Sequence, residues 1–172
     1  MSGLRQLVRV LRACATQALP PAVSHAARWH FLDALGVGLA AASAQVGAPY
    51  RELGRSLAVG GPSTVLGQAL GAAPADAALV NGGLMHSLEF DDTHTGSIIH
   101  GSSVVASAAL AMAQAHNSSG AAMLGAYVRG WEALARMGLA APGGVPCPRV
   151  SGQLRGGHPG LGVGGCRVGG FV

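Results

Sequence analysis

The hydrophobic pattern of the chain is helical along most of its length. Residues 4–19 predict an amphipathic helix that Pro20 and Pro21 would stop. Its apolar face is formed by Leu4, Leu7, Val8, Leu11 and Ala15. Segments rich in alanine and leucine predict further helices over residues 22–44, 49–57, 74–88, 102–115 and 121–139. The pattern therefore predicts an all-α fold, an Ala-rich helical bundle within residues 1–141.

One motif in the second helix suggests a different interpretation. The run G-V-G-L-A-A at residues 36–41 fits the dinucleotide-binding pattern G-x-G-x-x-A, which requires a preceding β-strand. Residues 24–35 have a helical pattern instead, so we prefer small residues that allow close helix packing as the explanation. Residues 60–63 predict a turn, and residues 64–66 a brief extended segment.

The composition changes abruptly after Ala141. Residues 142–172 contain no alanine and no acidic residue, and 11 of the last 30 residues are glycine. Such a segment buries too little apolar surface to offset its chain entropy, so we expect an irregular Gly/Pro-rich tail. A native glycine-rich linker would explain the change. A sharper hypothesis is that the reading frame changed near Gly143 and Gly144, so that this tail never evolved as part of the domain.

Charge and composition exclude several classes of function. The chain has 11 basic residues, all of them arginine, and 7 acidic residues, for a net charge of +4. The arginines are scattered and aromatic residues make up only 4% of the chain, so we expect no nucleic-acid partner. No apolar run is long enough to suggest a membrane span. The N-terminal segment lacks the apolar core and small-residue cleavage site that are typical of a secretory signal. We expect a cytoplasmic protein, although the arginine-bearing start also fits a mitochondrial presequence.

Residues 86–100 concentrate the chemistry of the chain. The run H-S-L-E-F-D-D-T-H-T-G-S-I-I-H holds three of the seven acidic residues and three of the seven histidines. These residues are Glu89, Asp91 and Asp92, with His86, His94 and His100, and Thr93 and Ser97 add hydroxyl groups. Crowded carboxylates beside imidazoles are typical of sites for general acid–base catalysis.

Spacing alone leaves three interpretations of this segment open. The first is acid–base chemistry on a small molecule. The second is a metal site, for which His86, Glu89, Asp91 and His94 have plausible ligand types. The third is structural: residues 91–93 cap the next turn and the histidines lie in a solvated loop.

The same segment resembles a family signature. Residues 81–94, N-G-G-L-M-H-S-L-E-F-D-D-T-H, followed by His100, resemble the signature of the MmgE/PrpD family, which includes 2-methylcitrate dehydratase and cis-aconitate decarboxylase. Residues 31–37, 63–67 and 130–132 resemble other landmarks of that family. The similarity runs in order over roughly residues 7–141, so it is more specific than a single motif.

The resemblance implies a helical, metal-independent and cofactor-free lyase that acts on small di- or tricarboxylates, as a homo-oligomer that is usually a dimer. Carried over residue by residue, it implies that Glu89, Thr93 and His100 are catalytic. A base would remove a proton α to a carboxylate, while hydroxyl and imidazole groups hold the developing negative charge. The neighbouring polar residues are expected to bind the substrate or orient the loop: His86, Asp91, Asp92 and His94.

Departures from the family pattern shape one further expectation. Glu89 stands where the family commonly has Asp, and Gly101 where it has Pro. The lid domain and the downstream lysines of the family find no counterpart in a chain without lysine, and His158 is only faintly similar to a later histidine. We therefore expect an N-terminal portion that is inactive alone. The alternatives are a non-catalytic helical fragment that pairs with a full-length homologous subunit, and a metal-dependent hydrolase using the same histidines and aspartates.

Overall fold

A computed structural model describes residues 3–15 and 18–140 of the chain. Within these ranges there are six α-helices, one short 3-10 helix (Gln45–Gly47) and no β-strand. The α-helices are α1 (Gly3–Ala15), α2 (Pro21–Ser43), α3 (Ala48–Leu57), α4 (Pro74–His86), α5 (Gly101–Ala115) and α6 (Gly120–Ala140). The predicted all-α fold is confirmed. The predicted irregular tail, residues 142–172, lies outside the described residues.

Local sequence signals set the helix boundaries. Pro21 and Pro74 stand in the first turns of α2 and α4, where the missing amide hydrogen costs no intrahelical bond. Residues 36–41 are helical throughout, which excludes the strand-dependent dinucleotide motif. Two helices end at least two residues earlier than predicted. The described part of α1 reaches Ala15 and residues 18–20 are not helical. α4 ends at His86, where the amide of Glu89 turns back to donate to the His86 carbonyl at 3.0 Å.

α4 is the central helix of the bundle. It packs against α2, α3 and α5, while α6 packs on α5 and α1 on α6. Small residues let these helices approach closely: a Cβ at Gly82 would lie 3.1 Å from Ser107 Oγ, and one at Gly130 would lie 2.5 Å from Val105 Cγ1. The core is therefore mostly alanine. Its few large side chains are Phe31, Leu66, Leu84, Met85, Tyr127 and Trp131.

One buried side chain holds the connection between α3 and α4. Asn81 on α4 accepts a hydrogen bond from the Leu66 amide and donates one to the Thr64 carbonyl, both at 2.8 Å. Ser63 and Ala72 form an isolated antiparallel bridge across the same connection. Residues 64–66, predicted to be extended, thus bond to a helix side chain and join no sheet.

None of the described helices is both long and apolar enough to span a membrane on its own. A pair formed by Pro21–Ser43 and Gln45–Leu57, bent by 89°, meets the requirements only as a unit and only by length and composition. The cytoplasmic location stays a prediction.

Candidate active site

The acidic loop, residues 87–100, connects the end of α4 to the start of α5. Because these helices pack on each other, His86 at the end of α4 and His100 just before α5 come together, with ring centroids 5.2 Å apart. Glu89 and Ile98 have positive φ angles of 56° and 52°. Side chains other than glycine rarely adopt this conformation. The left-handed turns at these two residues reverse the direction of the loop, so that its polar side chains lie next to the ends of α4 and α5.

Asp91 lies between the two imidazoles. Its Oδ2 is 2.9 Å from Nδ1 of His86, and its Oδ1 is 3.4 Å from Nδ1 of His100. The Asp91 side chain is 0% exposed, whereas those of His86 and His100 are 48% and 37% exposed. Oδ1 accepts no hydrogen bond from the described residues, although the His100 nitrogen lies within ion-pair distance. A buried carboxylate needs compensating partners, so Asp91 depends on two imidazoles that solvent can reach.

The hydrogen bond to Asp91 raises the pKa of His86 above its ordinary value of 6.5. The negative charges of Asp91 and Glu89 act in the same direction, and partial burial opposes them. A carboxylate that accepts a hydrogen bond from the imidazolium stabilises the charged form. His86 therefore keeps its proton to higher pH than a free histidine does, which suits a group that holds negative charge or returns a proton near neutral pH.

Glu89 and Thr93 extend this cluster on its solvent side. Glu89 Oε1 lies 3.6 Å from His86 Nε2, and the Glu89 side chain is 74% exposed. Thr93 Oγ1 lies 3.4 Å from His100 Nδ1. The three catalytic residues implied by the resemblance thus lie in one cluster. Thr93 contacts His100 directly, whereas Glu89 is connected to the cluster through His86. Their catalytic roles stay predictions.

Asp92 faces the helices. Its Oδ1 accepts a hydrogen bond from the Ser102 amide at 2.9 Å, and its Oδ2 accepts bonds from Ser102 Oγ at 2.5 Å and Trp131 Nε1 at 3.1 Å. His30 Nδ1 lies 3.4 Å from the same Oδ2. These contacts join α2, α5 and α6 at the first turn of α5, where the helix dipole stabilises a negative charge. Asp92 therefore caps α5 and fastens the acidic loop to the bundle.

A buried phenol continues the contacts of Asp92. The Tyr127 hydroxyl is hydrogen-bonded to Ser102 Oγ, and its ring meets that of Phe31 edge-on at a centroid distance of 5.3 Å. Burial raises the pKa of Tyr127, because the phenolate would lose its hydration. The phenol therefore stays protonated at neutral pH and adds no second negative charge beside Asp92.

His94 is held within the acidic loop. Its Nδ1 lies 2.6 Å from Ser97 Oγ and accepts the Ser97 amide at 3.2 Å. Its ring packs edge-on against Trp131, with centroids 5.6 Å apart, and its amide donates to the Ile99 carbonyl at 2.9 Å. His94 therefore shapes the loop. A contact between His94 and a substrate stays a prediction.

The predicted site residues thus fall into two groups. Around Asp91 the structure brings together His86, Glu89, Thr93 and His100. The other two residues, Asp92 and His94, lie against α5 and α6. The ligand set considered from the sequence is not assembled as such, because His100 and not His94 joins His86 and Asp91.

The sequence pattern gives no role to the residues around Asp92, namely His30, Ser102 and Trp131, which contact it, and Tyr127, which is hydrogen-bonded to Ser102. They come from three different helices, which local periodicity cannot bring together. One signal was available. A tryptophan and a tyrosine on the buried face of an Ala-rich helix carry N–H and O–H groups that need partners, and an acidic residue elsewhere in the chain could supply an acceptor.

Fold and site together define a helical domain with a carboxylate–imidazole cluster where α4 meets α5. The family model for the MmgE/PrpD N-terminal domain matches residues 5–145 of this chain. This match covers most of the chain, which belongs to the MmgE/PrpD family. No curated protein and no solved structure gives a match.

Proposed function

We propose that this chain supplies proton-transfer groups to a lyase that removes water or carbon dioxide from small di- or tricarboxylates such as 2-methylcitrate or cis-aconitate. Family membership supports the class of reaction. One observation supports the site: the buried Asp91 carboxylate lies between two solvent-accessible imidazoles, with a carboxylate and a hydroxyl beside them.

For loss of water, the first chemical step would be removal of a proton from the carbon next to a substrate carboxylate. The C–O bond on the neighbouring carbon then breaks, and the hydroxyl leaves as water with a proton returned by the cluster. For loss of carbon dioxide, the C–C bond to the departing carboxylate breaks instead, and the cluster donates a proton to the carbon left behind. His100 is suited to these proton transfers because its Nδ1 faces Asp91 and Thr93, which leaves Nε2 as the nitrogen directed at a substrate. Glu89 is the exposed carboxylate of the cluster. We therefore assign proton transfer to Glu89 and His100 as a pair.

Removal of that proton places negative charge on the substrate. His86 is suited to stabilise this charge, because the hydrogen bond to Asp91 raises its pKa and favours the cationic form. The Thr93 hydroxyl could donate a further hydrogen bond. In this scheme Asp91 makes no contact with the substrate and orients both imidazoles from the buried side of the cluster.

Binding of the substrate's own carboxylates requires additional cationic side chains. Arginine or lysine usually binds such groups, and the contacts that build this cluster come from histidine, acid and hydroxyl side chains. We therefore expect the isolated 172-residue chain to bind small carboxylates without turning them over. Turnover of citrate, 2-methylcitrate or cis-aconitate by the purified chain would contradict this expectation.

We also propose that the chain pairs with a second copy or with a homologous subunit. Three large apolar side chains are exposed along α2, namely Trp29 (60%), Leu32 (58%) and Leu39 (52%). Burial of such a row is favourable in an oligomer. Light scattering should report a mass above that of one chain, and Leu32→Glu should lower it. A monomeric wild-type chain would contradict pairing with a second copy, and failure to co-purify with a full-length homologue would contradict pairing with a homologous subunit.

Calorimetric titration with citrate, 2-methylcitrate and cis-aconitate in metal-free buffer tests the site. His86→Gln and His100→Gln should each weaken carboxylate binding about 10-fold or more, as expected for the loss of a charge-assisted hydrogen bond. His116→Gln is the matched control, because His116 is exposed in the connection between α5 and α6. The proposal fails if no carboxylate binds, or if both site variants bind as tightly as the control.

A further inference from the structure

The cluster around Asp91 has a second chemical property besides proton transfer. His86, Asp91 and His100 each offer one ligand atom, and these atoms lie within 4.8 Å of one another. Two imidazole nitrogens and one carboxylate oxygen form a donor set that is common in sites for zinc and other first-row transition metals.

The spacing of these atoms is close to what a single ion requires. In tetrahedral zinc sites with metal–ligand bonds of about 2.0–2.2 Å, neighbouring ligand atoms are about 3.3 Å apart. Here His86 Nδ1 lies 2.9 Å from Asp91 Oδ2 and His100 Nδ1 lies 3.4 Å from Asp91 Oδ1, so the two imidazoles face different oxygens of one carboxylate. One ligand atom from each residue lies within 4.8 Å of the other two, so the partly exposed imidazoles would have to move inward to share an ion with one carboxylate oxygen.

A separate observation concerns the carboxylate itself. The Asp91 side chain is fully buried, and its Oδ1 accepts no hydrogen bond from the described residues. A buried carboxylate oxygen without such a bond is destabilising. A cation bound between Oδ1 and the imidazoles would compensate this charge directly.

We infer that His86, Asp91 and His100 bind one divalent first-row transition-metal ion. The nitrogen donors favour Zn²⁺, Co²⁺ or Ni²⁺ over Mg²⁺ and Ca²⁺, which prefer oxygen ligands. Three protein ligands leave at least one coordination position for water. The ion takes the same ring nitrogens that orient the cluster for proton transfer, so in the proposed lyase it acts as an inhibitor. The binding site itself does not depend on the proposed reaction.

Titration of the untagged full chain with Co²⁺ tests the site, with the visible ligand-field absorption of bound cobalt and calorimetry as readouts. We expect one equivalent to bind, and Mg²⁺ not to compete. His86→Gln and His100→Gln should each weaken binding at least about 10-fold, since loss of even an outer-shell partner of a metal ligand typically has an effect of that size. His116→Gln should bind as the wild type does.

Three outcomes would overturn the inference: no cobalt binding by the wild type, equal binding by the His86→Gln/His100→Gln double variant, or an absorption band of cobalt bound to thiolate. Circular dichroism checks that each variant is folded, and Asp91→Asn removes the third ligand with little change of shape. Cobalt is titrated without carboxylates and carboxylates are titrated without metal. Failure of the metal site is therefore distinguishable from failure of the proposed function.

Discussion

Asp91 and Asp92 are adjacent in the chain, but their carboxylates have different surroundings. Asp92 lies against the bundle, where Ser102 and Trp131 donate hydrogen bonds to it. Asp91 is paired with His86 and His100, both of which are partly exposed. The hydrogen bonds to Asp92 come from a serine and a tryptophan, with His30 as an ion-pair neighbour at 3.4 Å, whereas both side chains that face Asp91 are imidazoles.

The difference shows how one loop places a carboxylate with a structural role directly beside one that faces the groups of the proposed chemistry. The side chains of consecutive residues in a non-helical segment can point to opposite sides. Asp92 therefore reaches the first turn of α5 while Asp91 reaches the imidazoles. The chain has only seven acidic residues, and two adjacent ones differ in role although both are aspartate. The role of each follows from the groups that surround its carboxylate.

The largest expected contrast between the two aspartates is in stability. Asp92→Asn should lower the free energy of unfolding by about 2 kcal/mol, because an amide nitrogen would face buried donors. Asp91→Asn should lower it by about 1 kcal/mol or less, since removing a buried charge offsets the lost pairing. Urea denaturation followed by circular dichroism measures both values. Equal losses would contradict the division of roles.

The helices could be predicted from the sequence because their signals are local. Apolar spacing and proline positions gave all six α-helices to within a few residues. The site could be predicted only in part, because the loop segment is visible in the sequence but the partners of each carboxylate are not. His30 lies more than 60 residues before Asp92, and the choice of His100 over His94 depends on the left-handed turns at Glu89 and Ile98.

A smaller effect on stability is expected at the left-handed turn at Glu89, two residues before Asp91. Glu89 has a φ of 56°, which glycine adopts without steric cost and alanine does not. Glu89→Gly should therefore be more stable than Glu89→Ala by about 1 kcal/mol. The two variants lack the same carboxylate, so each serves as the control for the other in thermal denaturation. Equal stability would mean that the left-handed turn is absent in solution.

The smallest expected effect is the pH dependence of stability. The folded-state pKa of His86 is raised above 6.5. Its contribution to stability is therefore fully present below pH 6.5 and is lost as the pH rises through the folded-state value. The free energy of unfolding should fall more steeply with rising pH in the wild type than in His86→Gln, and the difference should be modest because His86 is 48% exposed. Parallel curves would contradict the pairing with Asp91.

The most direct test of the central claim, that Asp91 and not Asp92 controls the imidazoles, is an NMR titration of the His86 ring in the wild type, Asp91→Asn and Asp92→Asn. The wild type and Asp92→Asn should both titrate above 6.5, because the hydrogen bond to Asp91 is the main cause of the raised pKa. Asp91→Asn should titrate at a clearly lower pH. The same midpoint in the wild type and Asp91→Asn would contradict the account.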